Sequence, residues 1–405
     1  MSEEITESSP ERGSHEPKWI AIVGPFSFPE GGAAARRILG MAQSAVAAGY
    51  RVTIASGQRA QADEMVGESR GGIRVVSLDE RDSENWPRPI RRLRYSLMGR
   101  RTVSWLSSEA TPPSAVILYS GYTPYLLRLR KWCKSNSLPL FFDAVEWYQP
   151  SMWLGWLSPY QLNIELAMRY LICRTDGVIA ISSYLEKHFM EARLPVVLIP
   201  PTLDVHTFPE GNGGGAEGVL RLCYVGTPGS KDALDVIVSA VLDVANEYAG
   251  VRLDIAGSSV NDVMALPTIR NRCFRELPQE ISVHGQLCHD GAVRLIGESD
   301  FSVLVRKPGK VAMAGFPTKV VESLAAGTPV IANISSDLGV HVIDGRTGFV
   351  VNDHSVSALQ STLRRAIELP LAQRNVMREH CRAHALANFD YRVFAGDLAQ
   401  LVKGR

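Results

Sequence analysis

The sequence has almost no excess of charge of either sign. Its 405 residues include 43 lysines and arginines against 42 aspartates and glutamates, for a formal net charge of +1 at pH 7. Proteins that attract nucleic acid through their overall field usually carry a clear positive excess. We therefore expect no nucleic-acid partner, and any charged ligand must be recognised by a few local side chains.

Cysteine is scarce and scattered along the chain. The six cysteines form no CxxC pair, and several lie in apolar stretches. Buried free thiols in a reducing compartment account for this pattern better than a disulfide framework or a zinc site. The pattern predicts a cytoplasmic protein that holds no metal.

Long apolar runs are also missing. The longest stretch without a charged residue, 147–164, contains Pro150 and Pro159, so it does not predict a membrane-spanning helix. Residues 1–17 are polar and lack the apolar core of a signal peptide, which predicts a disordered N-terminal tail. We expect a soluble chain whose only membrane contact is peripheral, at the inner face.

The chain does contain two series of short apolar runs that alternate with helical patterns. The first series begins at WIAIVG, and the second restarts at LRLCYVG after the segment PEGNGGGAEG. Such alternation predicts α/β architecture with doubly wound parallel sheets, whose ligands bind at the carboxyl ends of the strands. The predicted units are an N-terminal domain, a flexible linker, a C-terminal domain and a last helix, at 18–208, 209–218, 219–385 and 386–405.

The segment FPTKVVESLAAGTPVIAN predicts a loop, a short helix and a buried strand. Thr318 can begin the helix and Gly327 ends it, which places Lys319 and Glu322 on one face. The helix N-terminus and the lysine suit a phosphate, and the carboxylate can accept hydrogen bonds from two ribose hydroxyls. The pattern indicates a nucleotide site, and a plain surface ion pair is the alternative.

Two further cations follow predicted strands. Lys231 stands at the start of a long predicted helix, where it opposes the helix dipole unless an anion is bound. Arg306 lies where the strand FSVLVR surfaces, and its guanidinium can bind a diphosphate with paired hydrogen bonds. The chain lacks the GxxxxGK[ST] motif of nucleotide hydrolases. Solvated surface cations are the alternative for both residues.

The first half contains two candidate ligand-binding segments. Gly31 and Gly32 precede a predicted helix, so the backbone can approach a ligand closely, or they form a simple tight turn. This loop lacks the GxGxxG fingerprint, which counts against a nicotinamide cofactor. Asp143 and Glu146 end a predicted strand, and Trp147 follows them. Carboxylates beside an aromatic face suit a sugar, with structural packing as the alternative.

A basic run lies at WPRPIRRLRYSLMGRR, residues 86–101. Arg91 and Arg92 stand in it among apolar residues, so the run suits an anionic membrane surface or the phosphate of an acceptor. A solvated helix face is the alternative.

Taken together, these stretches resemble the GT-B glycosyltransferases, specifically the large retaining family 4 that uses nucleotide-sugar donors. The resemblance covers the chain from about residue 19 onward. It rests on the motifs EGGAAARR, DAVEWY, DGVIAISSYLEKHF, LIPPTLD, YVGTPGSKDALD, ISVHGQL and FPTKVVESLAAGTPVI. It implies two Rossmann-like domains that face a central cleft, the first for the acceptor and the second for the nucleotide sugar. The C-terminal FDYRVFAGDLAQLVKG is similar to the family's helix that crosses back onto the first domain.

The resemblance implies a role for each matched position of the donor site. Glu322 matches the glutamate that binds the ribose, and Lys231 the lysine that neutralises the diphosphate. The other donor contacts that it implies are Gly31, Gly32, Gly226, Gly285, Gln286, Leu287, Arg306, Gly315, Phe316, Thr318 and Lys319. Two positions depart from the family. Ala314 replaces a glutamate that interacts with the donor sugar, and Thr227 replaces an arginine that many relatives have.

The resemblance implies transfer of a sugar to an acceptor hydroxyl with retention of configuration, without a metal or cofactor. Lys231 and Arg306 would stabilise the leaving phosphate, and Glu146 would orient the sugar or acceptor. The acceptor, a glycan, a lipid-linked sugar or a small molecule, would contact Asp143, Trp147, Arg91 and Arg92. Three alternatives remain open: a nucleotide-sugar epimerase, an inactive sugar-nucleotide-binding partner subunit and a nicotinamide oxidoreductase.

Overall fold

The structure of the chain is a computed structural model that describes residues 18–59, 67–69, 71–80, 95–149, 158–213, 218–229 and 231–404. The predicted N-terminal tail, 1–17, lies outside the described residues. Arg91 and Arg92, which were predicted to contact an acceptor, also lie outside them.

The first half of the chain forms an eight-stranded sheet in the order β3-β4-β2-β1-β5-β6-β7-β8. Its strands are β1 (Trp19–Gly24), β2 (Arg51–Ser56), β3 (Gly67–Ser69), β4 (Ile73–Ser77), β5 (Ala115–Tyr119), β6 (Leu140–Ala144), β7 (Gly177–Ala180) and β8 (Val196–Leu198). Its helices are α1 (Gly32–Ala47), α2 (Arg100–Ser108), α3 (Thr123–Ser135), α4 (Pro159–Leu166) and α5 (Ser183–Glu191). A π-helical turn (Ala167–Leu171) and a 3₁₀ turn (Ile172–Arg174) follow α4. Only β3 pairs antiparallel to its neighbour.

The second half forms a six-stranded parallel sheet in the order β11-β10-β9-β12-β13-β14. Its strands are β9 (Leu220–Val225), β10 (Val251–Ala256), β11 (Ile281–Gly285), β12 (Phe301–Leu304), β13 (Val330–Asn333) and β14 (Gly348–Val351). Its helices are α6 (Leu234–Ala245), α7 (Val260–Met264), α8 (Pro267–Asn271), α9 (His289–Gly297), α10 (Lys310–Ala314), α11 (Thr318–Ala325), α12 (Leu338–His341) and α13 (Val356–Glu368). The predicted α/β class with two doubly wound sheets is confirmed.

The sheets form because their central strands are apolar on both faces. Every residue of β1 is buried, and helices cover both sides of the sheet, as expected for parallel strands. The edge strand β3 and its neighbour β4 were not predicted. The sequence IRVVS of β4 carries polar residues and is only partly buried, so it lacks the continuous apolar run that marks the central strands.

The connection between the two sheets was predicted to be flexible from its glycine and proline content. Its first residues are instead held against the second domain, because the amides of Gly211 and Gly213 donate to the carbonyls of Ala326 and Gly297. A Cβ added to Gly211 would lie 2.2 Å from the backbone of Gly297. The glycine at this position permits close packing of two backbone segments.

The last part of the chain returns to the first domain. Helix α14 (Leu371–Asn388) packs on α11 of the second domain and is followed by a 3₁₀ turn (Tyr391–Phe394) and α15 (Ala395–Lys403). Leu398 and Val402 of α15 are buried in the same apolar cluster as α1 and β1. Among the described residues, no helix is long and apolar enough to cross a membrane.

A histidine pair lies where the chain leaves the second domain. His341 Nδ1 is 3.0 Å from His384 Nε2, and both rings pack around Phe389. Burial, with a smaller effect of His384, lowers the pKa of His341 from 6.5 to about 4, which Asp337 partly opposes. Burial also lowers the pKa of His384, with a smaller effect of Arg346.

We expect this pair to make folding sensitive to acid. Between pH 6.5 and about 4 the unfolded chain binds more protons at His341 than the folded chain does. The free energy of unfolding should therefore fall as the pH drops through this window, by roughly 2–3 kcal/mol for His341. Urea unfolding at a series of pH values tests this: His341→Phe should flatten the dependence, and an unchanged slope would contradict it.

Candidate functional site

Glycine-bearing loops line the carboxyl edge of the second sheet. Gly226 follows β9 and Gly285 ends β11, both with positive φ (146° and 68°). A Cβ added to Gly257, which follows β10, would lie 2.5 Å from the carbonyl of Gly226, whereas one added to Gly226 or Gly285 would meet no atom within 4 Å. The loops therefore pack closely on each other and leave open space on the side of the cleft.

Glu322 is buried one turn into α11, with 2% of its side chain exposed. Lys319 Nζ lies 2.8 Å from Glu322 Oε2, and Arg36 Nε of α1 lies 2.8 Å from Oε1. Despite this ion pair, Oε1 has no hydrogen-bond partner among the described residues. The Lys319–Glu322 pair is thus not a surface pair, and one of its carboxylate oxygens retains acceptor capacity.

Lys231 and Arg306 meet because they follow neighbouring strands. Lys231 comes after β9 and Arg306 after β12, and the amide of Lys307 donates to the carbonyl of Lys231 (2.8 Å). The order of the second sheet reverses at this point, with β10 on one side of β9 and β12 on the other. Such reversal points are where doubly wound sheets bind ligands.

Arg306 is a buried cation with unused hydrogen-bond donors. Its side chain is 7% exposed, and its Nε lies 3.3 Å from Asp232 Oδ1. Asn333 fixes the backbone here, with hydrogen bonds of 2.8 Å to the amide and carbonyl of Arg306. Burial lowers the pKa of Arg306, and Asp232 opposes this shift. Nη1 has no hydrogen-bond partner within the described part of the chain, so the guanidinium can accept an anionic ligand.

Glu146 connects the two domains across the cleft. Its Oε1 lies 3.3 Å from Lys231 Nζ. Gly315 is also adjacent, since an added Cβ there would lie 3.6 Å from Glu146 Cγ. The structure therefore brings three predicted site residues, Glu146, Lys231 and Gly315, to one place.

Two residues predicted to contact the acceptor have structural partners instead. Asp143 is fully buried, and Arg37 donates to both of its carboxylate oxygens (2.8 and 3.3 Å). Trp147 is 3% exposed, donates to Glu165 Oε1 (2.8 Å) and has Lys310 Nζ 3.0 Å from its ring centroid. Their polar groups and ring faces are thus engaged within the protein, which corrects the expectation that they are presented to a sugar.

The remaining predicted donor contacts differ in exposure. Thr318 begins α11 after Pro317, without a side-chain cap. Phe316 is buried against His341 and Phe389, so only its backbone faces the site of Gly315. Gln286 donates to the carbonyl of Gly257 (3.1 Å), and Leu287 is exposed beside it.

The site also contains residues that the sequence did not single out. Arg36 lies in the motif EGGAAARR, yet its contact with Glu322 depends on the approach of two domains. His289 Nδ1 is 3.1 Å from Arg36 Nη1. Lys310, at the start of α10, was not singled out either, and its ammonium lies over the ring of Trp147 and 3.9 Å from Glu165 Oε1. Burial lowers the pKa of Lys310 to about 8, with Glu165 opposing the shift.

Two cavities are lined by residues of the site. The larger, of about 590 Å³, lies between α1, the connection after β8 and the helices α9 and α11, and includes Arg36, His289, Thr318 and Glu322. The smaller, of about 300 Å³, lies in the first domain beside Glu146.

Hydrogen bonds hold the two domains together around the site. Ser182 caps α5 and donates to the carbonyl of Ala314 (2.7 Å), and the amide of Ser183 donates to Asp337 Oδ2 (2.8 Å). The contact at Ala314 fixes the end of α10, next to Gly315.

We expect Ser182→Ala to lower the free energy of unfolding by about 1–2 kcal/mol, because it removes both a helix cap and an interdomain hydrogen bond. Ser355→Ala is the matched control, since Ser355 caps α13 inside the second domain. Small-angle scattering should show a more open molecule for Ser182→Ala alone. Equal scattering from both variants would show that this bond does not hold the domains closed.

Comparison with known proteins agrees with this architecture. Residues 32–202 match the family described as Glycosyl transferase 4-like domain, and residues 220–368 match Glycosyl transferases group 1. Glycogen synthase of Mycobacterium tuberculosis is 23% identical over 252 residues, 61% of this chain and 59% of that protein. D-inositol 3-phosphate glycosyltransferase of Mycobacterium bovis is 26% identical over 211 residues, 49% of this chain and 41% of that protein. The chain thus spans about half the length of these curated relatives.

Solved structures share the whole fold. Sucrose-phosphate synthase from Thermosynechococcus elongatus has a TM-score of 0.75 at 16% identity. The match covers 95% of this chain and 98% of the synthase chain. Anabaena HepE in complex with UDP-glucose has a TM-score of 0.66 at 15% identity, and the match covers 95% of this chain and 99% of HepE. The two family matches and the shared fold show that the chain belongs to the GT-B glycosyltransferases.

Proposed function

We propose that the chain transfers a sugar from a nucleoside diphosphate sugar to an acceptor hydroxyl, with retention of anomeric configuration and without a metal ion. The observation that carries the proposal is that two cations, Lys231 and Arg306, follow neighbouring strands at the carboxyl edge of the second sheet, the sheet whose helix α11 carries the buried carboxylate of Glu322. Arg306 Nη1 lacks a hydrogen-bond partner among the described residues, and Glu322 Oε1 forms an ion pair with Arg36 but accepts no hydrogen bond from them. One group suits ribose hydroxyls and the other a diphosphate.

The two ends of a nucleoside diphosphate donor match the carboxylate and the cations of this site. Its ribose would donate hydrogen bonds to Glu322 near the N-terminus of α11, and its diphosphate would lie between that helix end, Lys231 and Arg306. The glycine loops at Gly226 and Gly285 leave room for the backbone to approach the nucleotide. Anabaena HepE, which shares the fold, was solved in complex with UDP-glucose, and this supports the same class of donor here.

The reaction uses these cations to stabilise a leaving group. The bond between the anomeric carbon and the phosphate oxygen breaks, and Lys231 and Arg306 stabilise the negative charge that develops on the diphosphate. The acceptor oxygen bonds to the anomeric carbon from the same face, and its proton passes to the departing phosphate oxygen. Glu146, which contacts Lys231, orients the reacting sugar or the acceptor.

A donor screen tests this function. Thermal shift with nucleoside diphosphates and their sugars should identify a stabilising ligand, because a ligand at 100 times its Kd adds roughly 2.7 kcal/mol of stability. Incubation of that donor with a broad acceptor panel should give a glycoside whose anomeric proton coupling shows retention, in the presence of EDTA as well. Conversion of the donor without an acceptor would indicate an epimerase instead. Binding without any transfer or hydrolysis would indicate an inactive partner subunit.

A further inference from the structure

The segment after β6 carries Glu146, and residues of the second domain contact this segment directly. Lys231 Nζ lies 3.3 Å from Glu146 Oε1. A Cβ added to Gly315 would lie 3.6 Å from the carbonyl oxygen of Val145 and 3.6 Å from Glu146 Cγ. The place of the Glu146 carboxylate therefore depends on how the second domain is docked on the first.

Lys310, the first residue of α10, reaches from the second domain onto the next residue of the same segment. Its Nζ lies 3.0 Å from the ring centroid of Trp147 and 3.9 Å from Glu165 Oε1, and its side chain is 13% exposed. The indole is held from other sides as well. Its Nε1 donates to Glu165 Oε1 (2.8 Å), and its ring centroid lies 4.5 Å from that of His188. The ammonium of Lys310 thus contacts the face of a ring that directly follows Glu146 in the chain.

The far end of α10 is held on the first domain too. Ala314 is fully buried, and its carbonyl accepts a hydrogen bond from Ser182 Oγ (2.7 Å). Lys310 and Ala314 are four residues apart, so they lie on one face of the helix. Helix α10 therefore contacts the first domain at both ends, and Gly315 follows it directly against the segment of Glu146.

Packing alone does not explain a charged side chain at this place. Burial lowers the pKa of Lys310 to about 8, so the charged form loses free energy by being buried. Glu165 opposes this shift, and Arg169 adds to it. An apolar side chain would fill the same space without that cost. What the ammonium adds is an attraction to the face of the indole, which fixes where the ring lies.

We propose that Lys310 is a positioning residue for sugar transfer, whose ammonium holds the face of Trp147 and thereby sets the place of Glu146 against the bound donor. This inference rests on the proposed transfer reaction. Because the lysine belongs to the second domain and the indole to the first, Glu146 takes its working position when the two domains are closed. A misplacement of about 1 Å can cost about 100-fold in rate, so loss of this contact acts on the reaction step.

Lys310→Met removes the charge and keeps the length of the side chain. We expect kcat to fall about 10-fold, because the attraction that fixes the indole is lost. The Kd of the nucleoside diphosphate should stay unchanged, since Glu322 and Arg306 remain in place. Tm should change by no more than about 2 °C, because the lost attraction and the relieved burial of a charge offset each other. Lys310→Arg keeps a cation and should restore most of kcat.

Lys187→Met, at an exposed lysine of α5, is the matched control and should leave kcat, Kd and Tm unchanged. Kinetics use the UDP, GDP, ADP or TDP sugar that most stabilises the unmodified chain, and calorimetry gives Kd and Tm for each protein. Full kcat in Lys310→Met, a loss that Lys310→Arg shares, or a joint fall of kcat and Tm would overturn the positioning role alone. No transfer by the unmodified chain would instead refute the proposed function, and this inference with it.

Discussion

Glu322→Gln should weaken binding of the preferred nucleoside diphosphate by roughly 10- to 100-fold, because hydrogen bonds to an ionised carboxylate are worth about 1.5–3 kcal/mol each and those to a neutral amide about half as much. The carboxylate is buried one turn into α11, and its Oε1, although ion-paired with Arg36, accepts no hydrogen bond from the described residues. Glutamine keeps the shape of the side chain but loses its charge.

A comparison of ribonucleotide and 2′-deoxyribonucleotide makes this prediction specific. The unmodified protein should prefer the ribose form, and Glu322→Gln should remove most of that preference. Glu298→Gln is the control, since Glu298 borders the same large cavity at the far end of α9. Isothermal titration calorimetry gives the six dissociation constants, for two nucleotides with each of the three proteins. Equal loss of affinity for both nucleotides in Glu322→Gln would show that the carboxylate acts on something other than the ribose.

Lys231→Ala should lower kcat for transfer by about 10²–10³, because removing one preorganised group that stabilises developing charge typically costs this much. The affinity for the donor should change less, since the leaving diphosphate carries more charge in the transition state than in the bound sugar nucleotide. Lys231 Nζ is held 3.3 Å from Glu146 at the edge of the cleft, which positions the charge before the donor binds.

Lys307→Ala is the matched control for this effect. Lys307 is exposed, and only its amide contacts Lys231, so the substitution leaves that hydrogen bond in place. Steady-state kinetics should separate the two variants by at least a factor of about 100 in kcat, the lower end of the range expected for one such group. Similar small losses of kcat in both variants would show that Lys231 does not stabilise the leaving group. Arg306 would then be the remaining candidate for that role.

The central strands of both sheets could be predicted because burial on two faces leaves a continuous apolar run, as in β1. The pattern also predicted α11, whose bounds follow from the proline before it and the glycine after it. Strand β4, next to the edge strand β3, was not predicted, because it is only partly buried and its polar residues interrupt the apolar run. Apolar runs therefore mark the centre of a sheet more clearly than its margin.

The site could be predicted only where the topology itself brings residues together. Lys231 and Arg306 follow strands that are neighbours in a doubly wound sheet, so their proximity is implied by the fold. The partner of Asp143 is Arg37, 106 residues away, and no local pattern records that pairing. The contact between Arg36 and Glu322 depends on how the two domains close, which lies beyond any pattern within either half.

A crystal structure with the preferred nucleoside diphosphate sugar tests the central claim most directly. We predict ribose hydroxyls within hydrogen-bond distance of the Glu322 carboxylate, and phosphate oxygens against Lys231 Nζ and Nη1 of Arg306. The anomeric carbon should then face the cavity beside Glu146. A nucleotide bound elsewhere, or one whose phosphates point away from both cations, would contradict the account.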